Sequence, residues 1–168
     1  MSNVTKIFDD RVLRVAYLDG EQRSVDARKL FLESKLKSLA DLKIETLKSI
    51  EDLKSESCDL LIVSANHIPS EEFEKWLDGF CGRMLEHIWT PALVLASLDA
   101  KRLDSLLKKI VHQNWYFDIV DASHLDSLPI RVANLIRIHD HLLELRKYDE
   151  ELNNLTNRLA DIEKALKG

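Results

Sequence analysis

Two short runs constrain this chain more than any other feature. Leu60-Leu61-Ile62-Val63 and Ala92-Leu93-Val94-Leu95-Ala96 contain no polar side chain. A strand without polar alternation has to be covered on both faces, which suits a parallel sheet sandwiched between helices. Composition agrees. Only 4 glycines and 3 prolines in 168 residues count against a turn-rich β-sandwich, and 45% hydrophobic residues count against intrinsic disorder. No apolar run approaches the ~18 residues of a membrane span, and no charged-then-apolar leader opens the chain. Cys58 and Cys81 are too few for a disulfide framework and lack zinc-site company. These features predict a reduced, cytoplasmic, soluble protein. The net charge of −5 gives no global attraction to nucleic acid.

Around the two runs, short apolar segments alternate with helical patterns. Val12–Leu18 predicts a first strand, ended by Asp19-Gly20. Residues 24–39 predict a helix capped by Ser24, with Val25, Leu30, Phe31, Leu36 and Leu39 inward. Leu42–Leu47 alternates like a half-buried strand, and Ser49–Leu53 suits a short helix with Ser49 and Asp52 spaced for a capping box. After the strand 60–63, Ser70 is placed to cap a helix through about Leu85, with Phe73, Trp76, Leu77 and Phe80 inward. The strand 92–96 is followed by a helix over 100–113 carrying Leu103, Leu106, Leu107, Ile110 and Val111 on one face, then by a fifth strand, Trp115–Val120. Five βα units predict an α/β fold: a flavodoxin-like, doubly wound, five-stranded parallel sheet.

Everything from Leu128 onward is one helical pattern, with Ser127 placed to cap it and Pro129 tolerated in the first turn. Its length, roughly 60 Å at ~1.5 Å per residue, exceeds what one domain can cover. Leu145, Tyr148, Leu152, Leu155, Leu159, Ile162 and Leu166 alternate at spacings of three and four, an a/d seam with leucine at every a position. Ile138 extends it back by one heptad, with His141 at the intervening d position. The stripe is narrow, so the prediction is a domain over 1–137 and a coiled-coil helix over 138–168 that pairs with a second copy, parallel in the first instance. In a parallel pair Arg158 faces Glu163 favourably and Glu144 faces Asp149 unfavourably.

Catalytic constellations are missing. Gly20, Gly79 and Gly82 build no phosphate loop, and no nucleophile elbow surrounds Ser64. His139 and His141 fall on different sides of a helix and are expected to be solvated rather than metal-bound. Cys81 is expected to be a small core residue. No enzyme and no cofactor are expected.

The order of elements resembles the receiver domain of bacterial response regulators over residues 12 to about 140. The local matches are Val15–Glu21 with the first strand and its acidic end, Asp59–Val63 followed by Pro69 with the third strand, Pro91–Ser97 with the fourth, and Asp118–Val120 followed by Leu128–Val132 with the fifth strand and last helix. The resemblance implies a site of an acidic pair for Mg²⁺, a phosphoryl-accepting aspartate, a Thr or Ser, and a phosphate-binding lysine. Here Asp19, with Glu21 nearby, matches the acidic cluster; Ser64 or Ala65 falls at the acceptor; Ala96, or Ser97 one residue on, at the Thr/Ser position; and Asp121 or Ala122 at the lysine. With no acceptor carboxylate and no cation, the resemblance implies a degenerate, phosphorylation-independent pseudo-receiver in two-component-type signalling. Residues 149–158 also resemble the opening of a diguanylate cyclase (GGDEF) domain through Leu152, Leu155, Asn157 and Arg158, although the heptad explains the same leucines.

The leading expectation is therefore a protein-interaction and dimerisation module with an unidentified signalling partner, binding neither nucleic acid nor membrane. The alternatives are a ligand sensor using the vacated pocket, with Asp19, Ser64, Asn66 and Asp121 as its polar remainder, or the regulatory part of a longer protein such as a diguanylate cyclase.

Overall fold

A computed structural model describes residues 7–8, 11–20, 25–54, 58–110 and 116–167. Five strands, β1 (Val12–Asp19), β2 (Asp41–Leu47), β3 (Leu60–Ser64), β4 (Ala92–Ala96) and β5 (Phe117–Asp121), form one parallel sheet in the order β2-β1-β3-β4-β5. The helices are α1 (Val25–Leu36), α2 (Phe73–Met84), α3 (Ala100–Ile110) and α4 (Leu128–Lys167). This order defines the flavodoxin-like doubly wound sheet, the architecture the apolar runs predict. The predicted cap Ser24, the acidic Glu21, the start of the fifth strand at Trp115, and Val111 lie outside the described residues.

Alternation along the strands sorts the core into two layers. Leu13, Val15 and Tyr17 of β1, Leu60 and Ile62 of β3, and Leu93 and Leu95 of β4 meet Leu32 and Leu36 of α1 and Leu128, Val132 and Ile136 of α4. The opposite face, with Leu61, Val63, Ala92, Val94 and Ala96, meets Phe73, Leu77, Phe80 and Met84 of α2 and Leu106 of α3. Every residue of β3 and β4 is buried, as strands without polar alternation require. Cys58 and Cys81 are buried as well, and desolvation pushes each thiol up to about 11.

The short helix expected after β2 forms as a 3₁₀ turn, Ile50–Asp52, with its capping box: Ser49 N–H donates to the Asp52 carboxylate at 3.1 Å. Beside it, Lys43 and Glu45 of β2 line a hollow of about 310 Å³. Several other expectations change. Ser70 caps no helix: α2 begins at Phe73, and the Ser70 hydroxyl donates instead to Asp99. On α1, Leu30 and Phe31 face outward, and the buried row is Leu32 and Leu36. On α3, Leu103 and Leu107 are exposed and Arg102 is buried. Arg102 donates to the carbonyls of Ser97 (2.8 Å) and Ile68 and lies over the Phe73 ring, so polar partners at the strand ends rotate the helix away from its apolar phase.

α4 runs 40 residues without a break. Its first half covers the sheet and is tied to the strand starts by Arg11–Asp140 at 2.7 Å. His139 is buried there, not solvated; its Nδ1 lies 4.0 Å from Asp59 and 3.9 Å from Asp140, and burial holds its pKa below the usual histidine value. Among the described residues Leu142 is the last buried one, and about 38 Å of helix follows it. Among the described residues no helix is long and apolar enough to cross a membrane.

Candidate functional site

In a doubly wound sheet, ligands bind beyond the carboxyl ends of the strands at the switch point. Here that point lies between β1 and β3, and the register pairs Asp19 with Ser64. Tyr17 and Asp19 share a strand face by the two-residue period, and the Tyr17 hydroxyl donates to Asp19 Oδ2 at 2.7 Å. The Asp19 carboxylate is fully buried.

Its counter-charge comes from α1. Arg28 stands one helical turn before Leu32 and two before Leu36, on the row that faces the sheet. From there its Nη1 donates to Asp19 Oδ2 at 2.6 Å and to Ser64 Oγ at 3.2 Å. A charge-assisted bond of this length to a buried carboxylate is a strong interaction, and Tyr17 adds a second donor to the same oxygen. Burial, reinforced by the hydrogen bond to Asp19, pushes the Tyr17 phenol well above its ordinary value.

The other predicted positions do not join this cluster. Ala65 and Ala96 are buried backbone positions: Ala65 N–H donates to the Leu95 carbonyl at 2.8 Å, and the Ala96 carbonyl accepts from Ala122 N–H at 3.0 Å. Asp121, opposite Ala96 in register, folds its own loop by accepting from Ser123 N–H (2.8 Å) and Ser123 Oγ (2.6 Å). Those bonds hold its carboxyl below the usual carboxylate range. Asn66 is exposed.

Sequence reasoning missed Arg28 and Tyr17. The available signal was the i, i+4, i+8 row Arg28-Leu32-Leu36, which the choice of Leu30 and Phe31 as inward residues obscured. Beside the cluster, a cleft of about 220 Å³ is lined by Asp19, Ser64, Lys48, His67, Trp76 and Arg83, among others. Gly20 permits this wall, since a Cβ there would strike the His67 ring.

Receiver-type Mg²⁺ chemistry does not fit these residues. The one described carboxylate at the end of β1 already holds a guanidinium, the acceptor position carries a hydroxyl or a methyl, and no group of three metal-ligating side chains exists among the described residues.

No protein-family model matches the chain, and no curated protein matches it. Among solved structures it is similar to a CheY-like receiver domain from Methanospirillum hungatei, at 12% identity and TM-score 0.45, over 78% of this chain and 98% of that one. A CheY-like response regulator from Mesorhizobium loti is similar at 9% identity and TM-score 0.42, over 77% and 99%. A flavodoxin from the domain Archaea is similar at 9% identity and TM-score 0.38, over 80% and 99%.

Proposed function

We propose that this chain is a phosphorylation-independent receiver-like module that works by protein contact, pairing with a second copy through the tail of α4. The observation that carries the reading is the fate of the seam. Leu145, Tyr148, Leu152, Leu155, Leu159, Ile162 and Leu166 are 54–82% exposed, all beyond the last residue the domain buries. A contiguous apolar stripe of this kind marks an interaction surface, and heptad spacing suits another helix. Each leucine removed from water contributes roughly 1.5–3 kcal/mol, enough for the three heptads of this seam to hold two chains together.

Arg28 supports the phosphorylation-independent part. It supplies a fixed positive charge beside Asp19 and Ser64, so charge balance at the strand ends needs neither metal nor phosphoryl group. Sedimentation equilibrium of the full chain tests the pairing, and a dimer at micromolar concentration is the expected result. Incubation with acetyl phosphate and Mg²⁺ tests the site: no hydroxylamine-sensitive label should form, and such a label would overturn the reading.

The cleft beside Asp19 favours a second reading, a sensor of a small anion. Lys48, His67 and Arg83 line it while Asp19 is already neutralised by Arg28. A thermal-shift screen with inorganic phosphate, nucleotides and small carboxylates separates the two, because a ligand of the folded state raises the midpoint with the logarithm of its concentration.

A further inference from the structure

The inference concerns the direction in which two tails pair, and it rests on the reading of the tail as a seam between copies. The seam points away from the domain that carries it. α4 faces the sheet through Val132, Leu135, Ile136, His139 and Leu142. Tyr148 follows His139 by nine residues, half a turn away at about 100° per residue. Either direction is therefore sterically open, and charge decides between them.

With leucine at a, the g positions are Glu144, Glu151, Arg158 and Ala165, and the e positions are Asp149, Thr156 and Glu163. A parallel pair sets g against the partner's e five residues on. Arg158 against the partner's Glu163 is attractive, Glu144 against the partner's Asp149 is repulsive, and Glu151 meets a neutral threonine. The flanks cancel.

In an antiparallel pair each a residue packs against a partner d residue, and g faces g. One register that covers the seam from Leu145 to Ile162 keeps the charges compatible. It sets Leu145 against the partner's Ile162, Tyr148 against the partner's Leu159, and Leu152 against the partner's Leu155, each occurring twice about the two-fold axis. Glu151 then faces the partner's Arg158 at both symmetric sites, Glu144 faces the partner's Ala165, and Asp149 faces the partner's Thr156. No like charges meet. A slip of one heptad one way juxtaposes Arg158 with the partner's Arg158 and Asp149 with the partner's Glu163; the other way it sets Glu144 against the partner's Arg158 but juxtaposes Glu151 with the partner's Glu151 and Asp149 with the partner's Asp149.

The same register sets Leu166, at the end of the stripe, against the partner's His141.

We propose that two copies pair their tails antiparallel, Leu152 against the partner's Leu155, with Glu151–Arg158 pairs flanking the centre and the two sheet domains at opposite ends of the coil.

Spin labels test the direction in the full chain. The native thiols Cys58 and Cys81 are buried in the core, away from the label. Asn154→Cys and Asp161→Cys both lie at c positions, outside the seam. Antiparallel pairing offsets the two labels along the axis by about 2 Å at position 154 and about 22 Å at position 161. A clearly longer inter-label distance at 161 than at 154 is expected. Equal distances at the two positions would overturn the direction and leave the dimer standing; no inter-label distance in a chain that sediments as a monomer would overturn both. A charge swap adds an independent check. Glu151→Lys should weaken the dimer roughly tenfold, and adding Arg158→Glu should restore it. In a parallel pair Glu151→Lys is neutral and Arg158→Glu is harmful, so that pattern would also overturn the direction.

Discussion

The sheet domain and the tail use the same residue in opposite ways. Leu13, Leu60, Leu61 and Leu93 are fully buried between two helical layers, whereas the five leucines of the seam stand more than half exposed. The difference lies in what each surface meets. A strand covered on both faces finds its apolar partners within its own chain, and its stability is independent of concentration. A helix that outruns its domain buries its stripe only when a second helix arrives, so its stability is set by mass action.

The comparison breaks most sharply with the double variant Leu152→Asp/Leu155→Asp. It places unpaired charge in the central layers of either coil direction. The chain is expected to sediment as a monomer at every working concentration while circular dichroism of the sheet domain is retained. Global unfolding would instead mean that the tail packs on its own domain.

Truncating one leucine in each region sharpens the contrast. Leu61→Ala should lower the free energy of urea unfolding by about 2–5 kcal/mol at any protein concentration. Leu159→Ala should change domain unfolding by less than about 0.5 kcal/mol, while shifting the monomer–dimer midpoint upward.

The pocket gives a third test. Arg28→Met leaves the Asp19 carboxylate buried without its cation, and the expected loss is about 3 kcal/mol, since Tyr17 still donates to it. Combining Arg28→Met with Asp19→Asn should recover much of that loss. If Arg28→Met alone is neutral in urea unfolding, the pair does not hold the strand ends together.

The smallest effect belongs to His139, where domain and tail join. Its folded pKa lies below the unfolded value of about 6.5, so below that pH the unfolded chain binds a proton that the folded chain refuses. Its contribution is therefore complete above about pH 6.5 and lost as pH falls toward the lower folded value. Asp59 and Asp140 oppose the shift, while Arg11 and Arg14 add to it. Stability should fall by roughly 1 kcal/mol between pH 7.5 and 5.5, and His139→Gln should flatten that dependence in urea titrations.

Much of the architecture was legible because it depends on local pattern. The unbroken runs 60–63 and 92–96 suit doubly covered strands, and the alternation of 42–47 marked a half-buried strand, whose exposed face carries Lys43 and Glu45. The heptad spacing of 145–166 was equally local. The helix faces were less legible. Arg102 turns inward because carbonyls of Ser97 and Ile68 and the ring of Phe73 await it. Periodicity weighs hydrophobicity alone and cannot register such partners.

What the sequence determined by itself is the parallel α/β sheet and a helix too long for its domain. Each follows from residue type and spacing along a few turns or one strand. Only the tertiary structure decided that Asp19 is a buried ion rather than a residue at a wet strand end. Nothing near position 19 announces Arg28; α1 has to pack on the sheet through Leu32 and Leu36 before its guanidinium reaches the ends of β1 and β3. The same holds for His139, which becomes buried only when the first half of α4 lies against the starts of the strands. Spacing within an element is written in the chain, but which charge meets which depends on how separate elements dock.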